Sequence, residues 1–286
     1  MQDKDFFTLQ TEHFLIEGRS RAGHETYFRV RDLNIALDIG RCPDLVVSMG
    51  HVFVTHAHLD HAAGIPFYAG QRHLHRLDVG RIYVPAEAAA DVHALLDVQR
   101  RLTGAKFDEV EIVGVAADEE LRVARSLYVR GHAAPHRVAA RAYEFIERRH
   151  HLREEYVGVD GETIARLRRE GVQIDEEYRK SLFFYTGDTD RGLLETGDAI
   201  YKAEVLMIEC SFIEDGHQDR AAKYRHIHID DIAEFAERFE NRLIVLTHFS
   251  RRYSREEIRN GVRRRLPASL HDRIRLGLPE PWQRIS

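Results

Sequence analysis

Short apolar runs that end on a polar, reactive residue recur along this chain and set its plan. The run Leu33-Asn34-Ile35-Ala36-Leu37 ends in Asp38, and Val52-Phe53-Val54-Thr55 ends in His56. Further on, Leu182-Phe183-Phe184-Tyr185-Thr186-Gly187 ends in Asp188, Val205-Leu206-Met207-Ile208 in Glu209, and Leu243-Ile244-Val245-Leu246-Thr247 in His248. Runs of this length and branching read as buried strands. Their endings predict polar residues gathered along one edge of a sheet, where open sheets with helices between strands collect their sites. Earlier, Phe14-Leu15-Ile16 and Thr26-Tyr27-Phe28-Arg29-Val30 stand apart through Gly18, Gly23 and Asp32, which predicts antiparallel strands at the start of a sheet.

Helical spacing covers 62–75, and 86–102 carries its apolar residues on one face. Between them, Arg81-Ile82-Tyr83-Val84-Pro85 reads as a strand stopped by proline, and 107–113 and 121–129 read as further strands leading through Gly131-His132-Ala133-Ala134-Pro135-His136 to Tyr143. From 147 to 180 charged residues dominate and only 162–169 looks helical. The expectation is one domain over 1–286 with an arm-like excursion at about 147–180.

Composition narrows the class. With 286 residues and 43% of them hydrophobic, the chain can bury a large core. No apolar run approaches a membrane span, and Met1-Gln2-Asp3-Lys4-Asp5 is polar, so a soluble, cytoplasmic protein is expected. Cys42 and Cys210 lie far apart and read as small core residues, not as a disulfide or a thiolate metal site. A net charge of −5 argues against nucleic-acid binding through overall charge while leaving room for local basic patches. The arginine clusters at 166–169, 251–255 and 263–265 read first as solvated helix faces.

The chemistry is concentrated in Thr55-His56-Ala57-His58-Leu59-Asp60-His61, which puts three imidazoles and one carboxylate into six positions. Side chains two apart in an extended segment fall on one side, so His56 and His58 can grip one ion together. Asp60 and His61 come where the chain turns toward a helix and can serve a second ion. Imidazole and carboxylate without thiolate suit zinc, with manganese or iron also accommodated.

Together with His136, Asp188 and His248 in that order, the stretch from His56 to His61 resembles the metallo-β-lactamase superfamily over nearly the whole chain. More narrowly, Tyr185-Thr186-Gly187-Asp188-Thr189, the Glu209 strand end and Thr247-His248-Phe249-Ser250-Arg251-Arg252-Tyr253 resemble ribonuclease Z, the endonuclease family that trims the 3′ end of precursor tRNA. Gly23-His24-Glu25-Thr26, Asp38-Ile39-Gly40-Arg41-Cys42-Pro43, Arg225-His226-Ile227-His228 and Phe239-Glu240-Asn241 are similar to its short plant-type members. The resemblance implies an α/β fold, the αββα sandwich of two mixed β-sheets flanked by helices.

It also implies two zinc ions, one on His56, His58 and His136, the other on Asp60, His61 and His248, with Asp188 bridging. His132, four residues before His136, is the competing ligand. Such a pair makes hydroxide available at neutral pH and neutralises charge developing on phosphorus. Asp60, Glu209 and His226 form the implied catalytic set, Glu209 and His226 serving the leaving oxygen, with His228 as the rival of His226. Ser250 and Arg252 are the implied contacts to substrate phosphate, against an alternative in which Arg252 pairs with Glu256 or Glu257. Precursor tRNA or another phosphodiester is the implied partner, and a homodimer the implied assembly. The region matching the family's projecting arm has Gly158, Gly161 and Gly171 but no proline. The competing function is a small-molecule metallohydrolase, acting on a phosphodiester, a lactone or a thioester on the same scaffold.

Overall fold

Alternate residues of the apolar runs face two different cores, and that alternation builds the molecule. The computed structural model describes residues 6–285, so the polar start Met1–Asp5 lies outside it. One sheet holds β1 (Phe7–Gln10), β2 (Leu15–Arg21), β3 (Glu25–Val30), β4 (Ile35–Leu37), β5 (His51–Phe53), β6 (Gly80–Pro85) and β7 (Val110–Val115), with neighbours in chain order. The other holds β8 (Glu120–Arg122), β9 (Leu127–Ala133), β10 (Arg141–Leu152), β11 (Asp175–Tyr185), β12 (Val205–Glu209), β13 (Leu243–Thr247) and β14 (Ile274–Leu276). Each sheet begins antiparallel, from β1 to β4 and from β8 to β11, and continues parallel.

Between the sheets, Phe28, Phe53 and Tyr83 of one meet Phe145, Phe183, Tyr185, Met207 and Val245 of the other. The opposite faces of the second sheet, through Leu206, Ile208, Ile244 and Leu246, pack under Ile232, Ile258 and Val262 of the helices Ile229–Glu234 and Arg255–Arg265. The helices Ile65–His75 and Ala89–Thr103 cover the first sheet with Tyr68, Ala69, Val92 and Leu96. Parallel strands buried on both faces read as unbroken apolar runs, which is why their endings were so visible. The architecture is the αββα sandwich of two mixed sheets.

Several local expectations shift. The strand expected over 121–129 is two, β8 and β9, because residues 123–126 turn the chain back on itself; Val123 N and Ala124 N both donate to Leu127 O. The strand expected from 107 starts at Val110, after Phe107 takes a left-handed conformation at φ 56°. The helix expected over 86–102 is Ala89–Thr103 behind a 3-10 turn at Ala86–Ala88. The polar strand ends share one edge of the sandwich, but not of one sheet: Asp38 and His56 follow β4 and β5, whereas Asp188, Glu209 and His248 belong to the ends of β11, β12 and β13. Cys210 is fully buried, Cys42 partly, and both are free.

The charged region 147–180 is strand at both of its ends. β10 and β11 run on as a paired ribbon from Tyr143↔Tyr185 to Leu152↔Asp175. The helix Gly161–Arg169 closes its far end, capped where Asp160 accepts from Glu162 N and Thr163 N. No helix among the described residues is long and apolar enough to cross a membrane.

Candidate metal centre

Two strand ends set the geometry by leaving their sheets in the left-handed region: Asp38 at φ 53° after β4 and His248 at φ 58° after β13. Such geometry costs a non-glycine residue on the order of 1 kcal/mol and persists where surrounding bonds over-determine it. Asp38 has those bonds. Its buried carboxylate accepts from Thr55 N at 2.7 Å, Thr55 Oγ1 at 3.0 Å, Tyr185 Oη at 2.6 Å and His61 Nδ1 at 2.8 Å. Gly40, two residues on, passes so close to the ligand loop that a Cβ there would lie 1.7 Å from Asp60 O.

The imidazoles then converge with their inner nitrogens. His56 Nε2 lies 2.9 Å from His58 Nδ1, which is 3.3 Å from His136 Nε2. On the other side, His61 Nε2 is 3.3 Å from His248 Nε2, and Asp60 Oδ2 is 3.6 Å and 3.5 Å from the two. Asp188 stands between the groups, with Oδ2 3.7 Å from His56 Nε2 and Oδ1 3.3 Å from both His61 Nε2 and His248 Nε2. Hence His56, His58, His136 and Asp188 form one potential ligand set, and Asp60, His61 and His248 a second.

The outer nitrogens decide which inner ones are lone pairs. His136 Nδ1 faces the Arg225 carbonyl at 3.0 Å, an acceptor only, so Nδ1 must donate. His61 Nδ1 likewise donates to the Asp38 carboxylate. Ser211 Oγ gives its proton to Glu209 Oε2 at 2.7 Å and can accept from His248 Nδ1 at 3.0 Å; Thr55 Oγ1 stands in the same relation to Asp38 and to His56 Nδ1 at 3.1 Å. Burial holds His56, His58 and His136 below the ordinary imidazole value, which keeps them neutral. Asp188 is pushed up by burial but pulled further down by His248 and His61, and its buried Oδ1 receives no hydrogen bond. Without an ion, burial would lower His61, but Asp188 and Asp38 outweigh it and raise the ring well above the ordinary imidazole value. A buried carboxylate set among imidazoles whose inner nitrogens converge on it is a donor set that fits divalent cations.

The remaining expected residues separate cleanly. His132 lies on β9 with Nε2 3.0 Å from Glu144 Oε2, outside the cluster that contains His136. His226 Nδ1 lies 2.8 Å from Glu209 Oε1, which also accepts from Thr189 N at 2.9 Å. Burial alone would lower His226, but Glu209 outweighs it and raises the imidazole to about 9. His228 faces away, capping the helix Ile229–Glu234 by accepting from Asp230 N. Ser250 and Arg252 line a cleft of about 230 Å³ with His58, His136, His226, Phe212 and Tyr224. Arg252 pairs with neither glutamate of the following helix; Glu257 instead accepts from Ser254 N at 2.7 Å as part of a capping box.

Sequence reasoning gave no role to Asp38, Thr55 or Ser211, the groups that orient the imidazoles. The strand-end position of Asp38 was a usable signal; Ser211 had none, because its value lies in the 3.0 Å to a histidine thirty-seven residues on.

Comparison with known proteins agrees with this geometry. Residues 40–249 match the model of the Beta-lactamase superfamily domain. tRNase Z TRZ1 of Arabidopsis thaliana is 36% identical over 269 residues, spanning 93% of this chain and 95% of that protein. Ribonuclease Z of Thermobifida fusca is 27% identical over 227 residues, 72% of this chain and 69% of that one. Among solved structures, the short form of human tRNase Z superposes with a TM-score of 0.59 at 17% identity, covering 87% of this chain and 93% of that chain, a likeness of fold alone.

Proposed function

The chain belongs to the tRNase Z family, built on the β-lactamase superfamily domain, and on that premise we propose that it cleaves the 3′ trailer from precursor tRNA after the discriminator nucleotide, leaving a 3′-hydroxyl on the tRNA. It is a metal-dependent hydrolase. We assign two zinc ions to its ligand sets, His56, His58 and His136 on one side, Asp60, His61 and His248 on the other, with Asp188 shared. Bound there, the ions supply a nucleophilic hydroxide at neutral pH and neutralise charge developing on phosphorus.

The observation that carries the reading is the pair Glu209 and His226. A hydrolase that only activates water needs no protonated imidazole beside its metals, whereas expelling a ribose oxygen does need an acid. Glu209 accepts from Nδ1 of His226 and fixes the ring, leaving Nε2 to deliver a proton to the departing 3′-oxygen. Arg252 lines the cleft with Ser250 beside it, where its fork can pair with a non-bridging phosphate oxygen.

The long ribbon of β10 and β11 supports the reading of one domain with an arm that holds RNA. Its arginines are already engaged, however: Arg148 with Glu177, Arg166 with Glu170 and Arg168 with Asp175. That observation gives the small-molecule hydrolase its support. Incubation with a trailer-bearing tRNA and with bis-p-nitrophenyl phosphate, zinc present, separates the two. Trailer cleavage is expected; turnover of the small diester with intact tRNA would overturn it. A homodimer and a cytoplasmic location complete the proposal, the former tested by light scattering and the latter by fractionation.

A further inference from the structure

Ser250 stands in two walls. On one side it lines the cleft that holds His226, Phe212 and Tyr224. On the other it lines a separate cleft of about 340 Å³ with Arg19, Arg21, Arg251 and Arg255. Among the described residues that second lining carries four guanidinium groups and no carboxylate, the rest being serine, tyrosine and apolar positions. Arg19 also reaches Glu25 at 2.9 Å, and Arg21 and Arg255 are engaged as well, so three of the four guanidinium groups are held in place. The turn between β2 and β3 sits at the metal centre beside this cleft, for Gly23 N donates to Asp60 Oδ2 at 2.7 Å and Ala22 N to Phe249 O at 3.4 Å. A cationic trough thus opens off the centre through a shared serine, and the cluster 251–255 belongs partly to a concave wall.

We propose that this arginine-lined cleft holds the phosphodiester backbone of the 3′ trailer, the strand beyond the cut. The proposal rests on the trailer-cleavage reading above, and the chemistry of that cut sets the direction. Water adds its hydroxyl to phosphorus, the P–O3′ bond breaks, and O3′ takes a proton from His226, which is made good by the proton the water gives up. The departing oxygen belongs to the nucleotide the tRNA keeps, so that nucleotide occupies the His226 side, where Phe212 and Tyr224 offer rings for its base. Phosphorus stays with the trailer. The trailer therefore leads away from His226, past Ser250, to groups whose planar forks match phosphate oxygens. Such contacts read backbone and not base, so trailers of any sequence would be held alike.

The test compares wild type with Arg251→Glu, whose side chain is exposed, and with the double variant Arg21→Glu/Arg251→Glu, on tRNAs bearing a trailer of one nucleotide or of several. With the longer trailer, KM is expected to rise about tenfold or more while the one-nucleotide substrate changes by less than about twofold. In parallel, a 5′-phosphorylated oligouridylate is titrated by fluorescence anisotropy in the presence of chelator. Its Kd is expected to rise about tenfold in the double variant, and the salt slope to become shallower by about 0.7 per lost contact. An unchanged melting temperature shows that the variants fold. Equal losses on both substrates, or an unchanged Kd for the oligonucleotide, overturn the assignment while leaving trailer cleavage standing. A wild type that cuts neither substrate overturns both.

Discussion

At the scale of single residues, the proposed function gives Asp188 and His226 different and separable work. Asp188→Ala removes the group between both ligand sets, so the purified variant is expected to hold little metal and to be inactive. His226→Ala is expected to keep its metal while the single-turnover rate falls about 10²- to 10⁴-fold. Metal analysis and rapid-mixing kinetics on the same samples check the division; equal metal loss in both would contradict it. Asp38 acts through others. Replacing it by alanine leaves buried donors of Thr55 and Tyr185 unpaired and frees His61, so a stability loss on the order of 3 kcal/mol is expected. Metal affinity should also fall about 10- to 100-fold, read by competition with a chromogenic chelator. Of the proposed ligands, His56, His58, Asp60 and His61 were legible because one short stretch packs them together, whereas His136, Asp188 and His248 came only with the family resemblance. What orients them was not, since Asp38, Ser211 and the Arg225 carbonyl meet their histidines only after distant strand ends are brought together.

At the scale of elements, the loop after β4 is a template for the ligand loop. Gly40→Ala would drive a methyl group into the Asp60 carbonyl, and because both partners are backbone, neither can yield cheaply. A loss of at least about 3 kcal/mol in denaturant unfolding is expected, with Asp60 and His61 displaced and metal retention impaired. The core strands β11, β12 and β13 were readable because both faces are buried and their apolar runs are unbroken. The outer halves of β10 and β11 escaped notice for the opposite reason. Solvent reaches much of their surface, so Glu147 to Leu152 and Asp175 to Lys180 carry charge where a strand pattern would show apolar alternation, and pairing alone makes them strands.

At the scale of the whole molecule, the metal should contribute to stability as well as chemistry. Chelator treatment is expected to lower the unfolding midpoint and abolish cleavage, and added zinc to restore both; saturating ion at about a thousand times its Kd corresponds to about 4 kcal/mol. Differential scanning calorimetry with and without chelator reads the shift. The connection between β7 and β8 crosses from one sheet to the other once, and nearly everything on either side of it pairs within its own sheet. His56, His58, Asp60 and His61 precede that crossing, and His136, Asp188 and His248 follow it. A chain cut at that crossing would divide the ligands between two pieces, neither holding a full set. Coexpressed, the pieces would announce their own reassembly by retaining metal through gel filtration, which would make the crossing a natural place to build a split reporter.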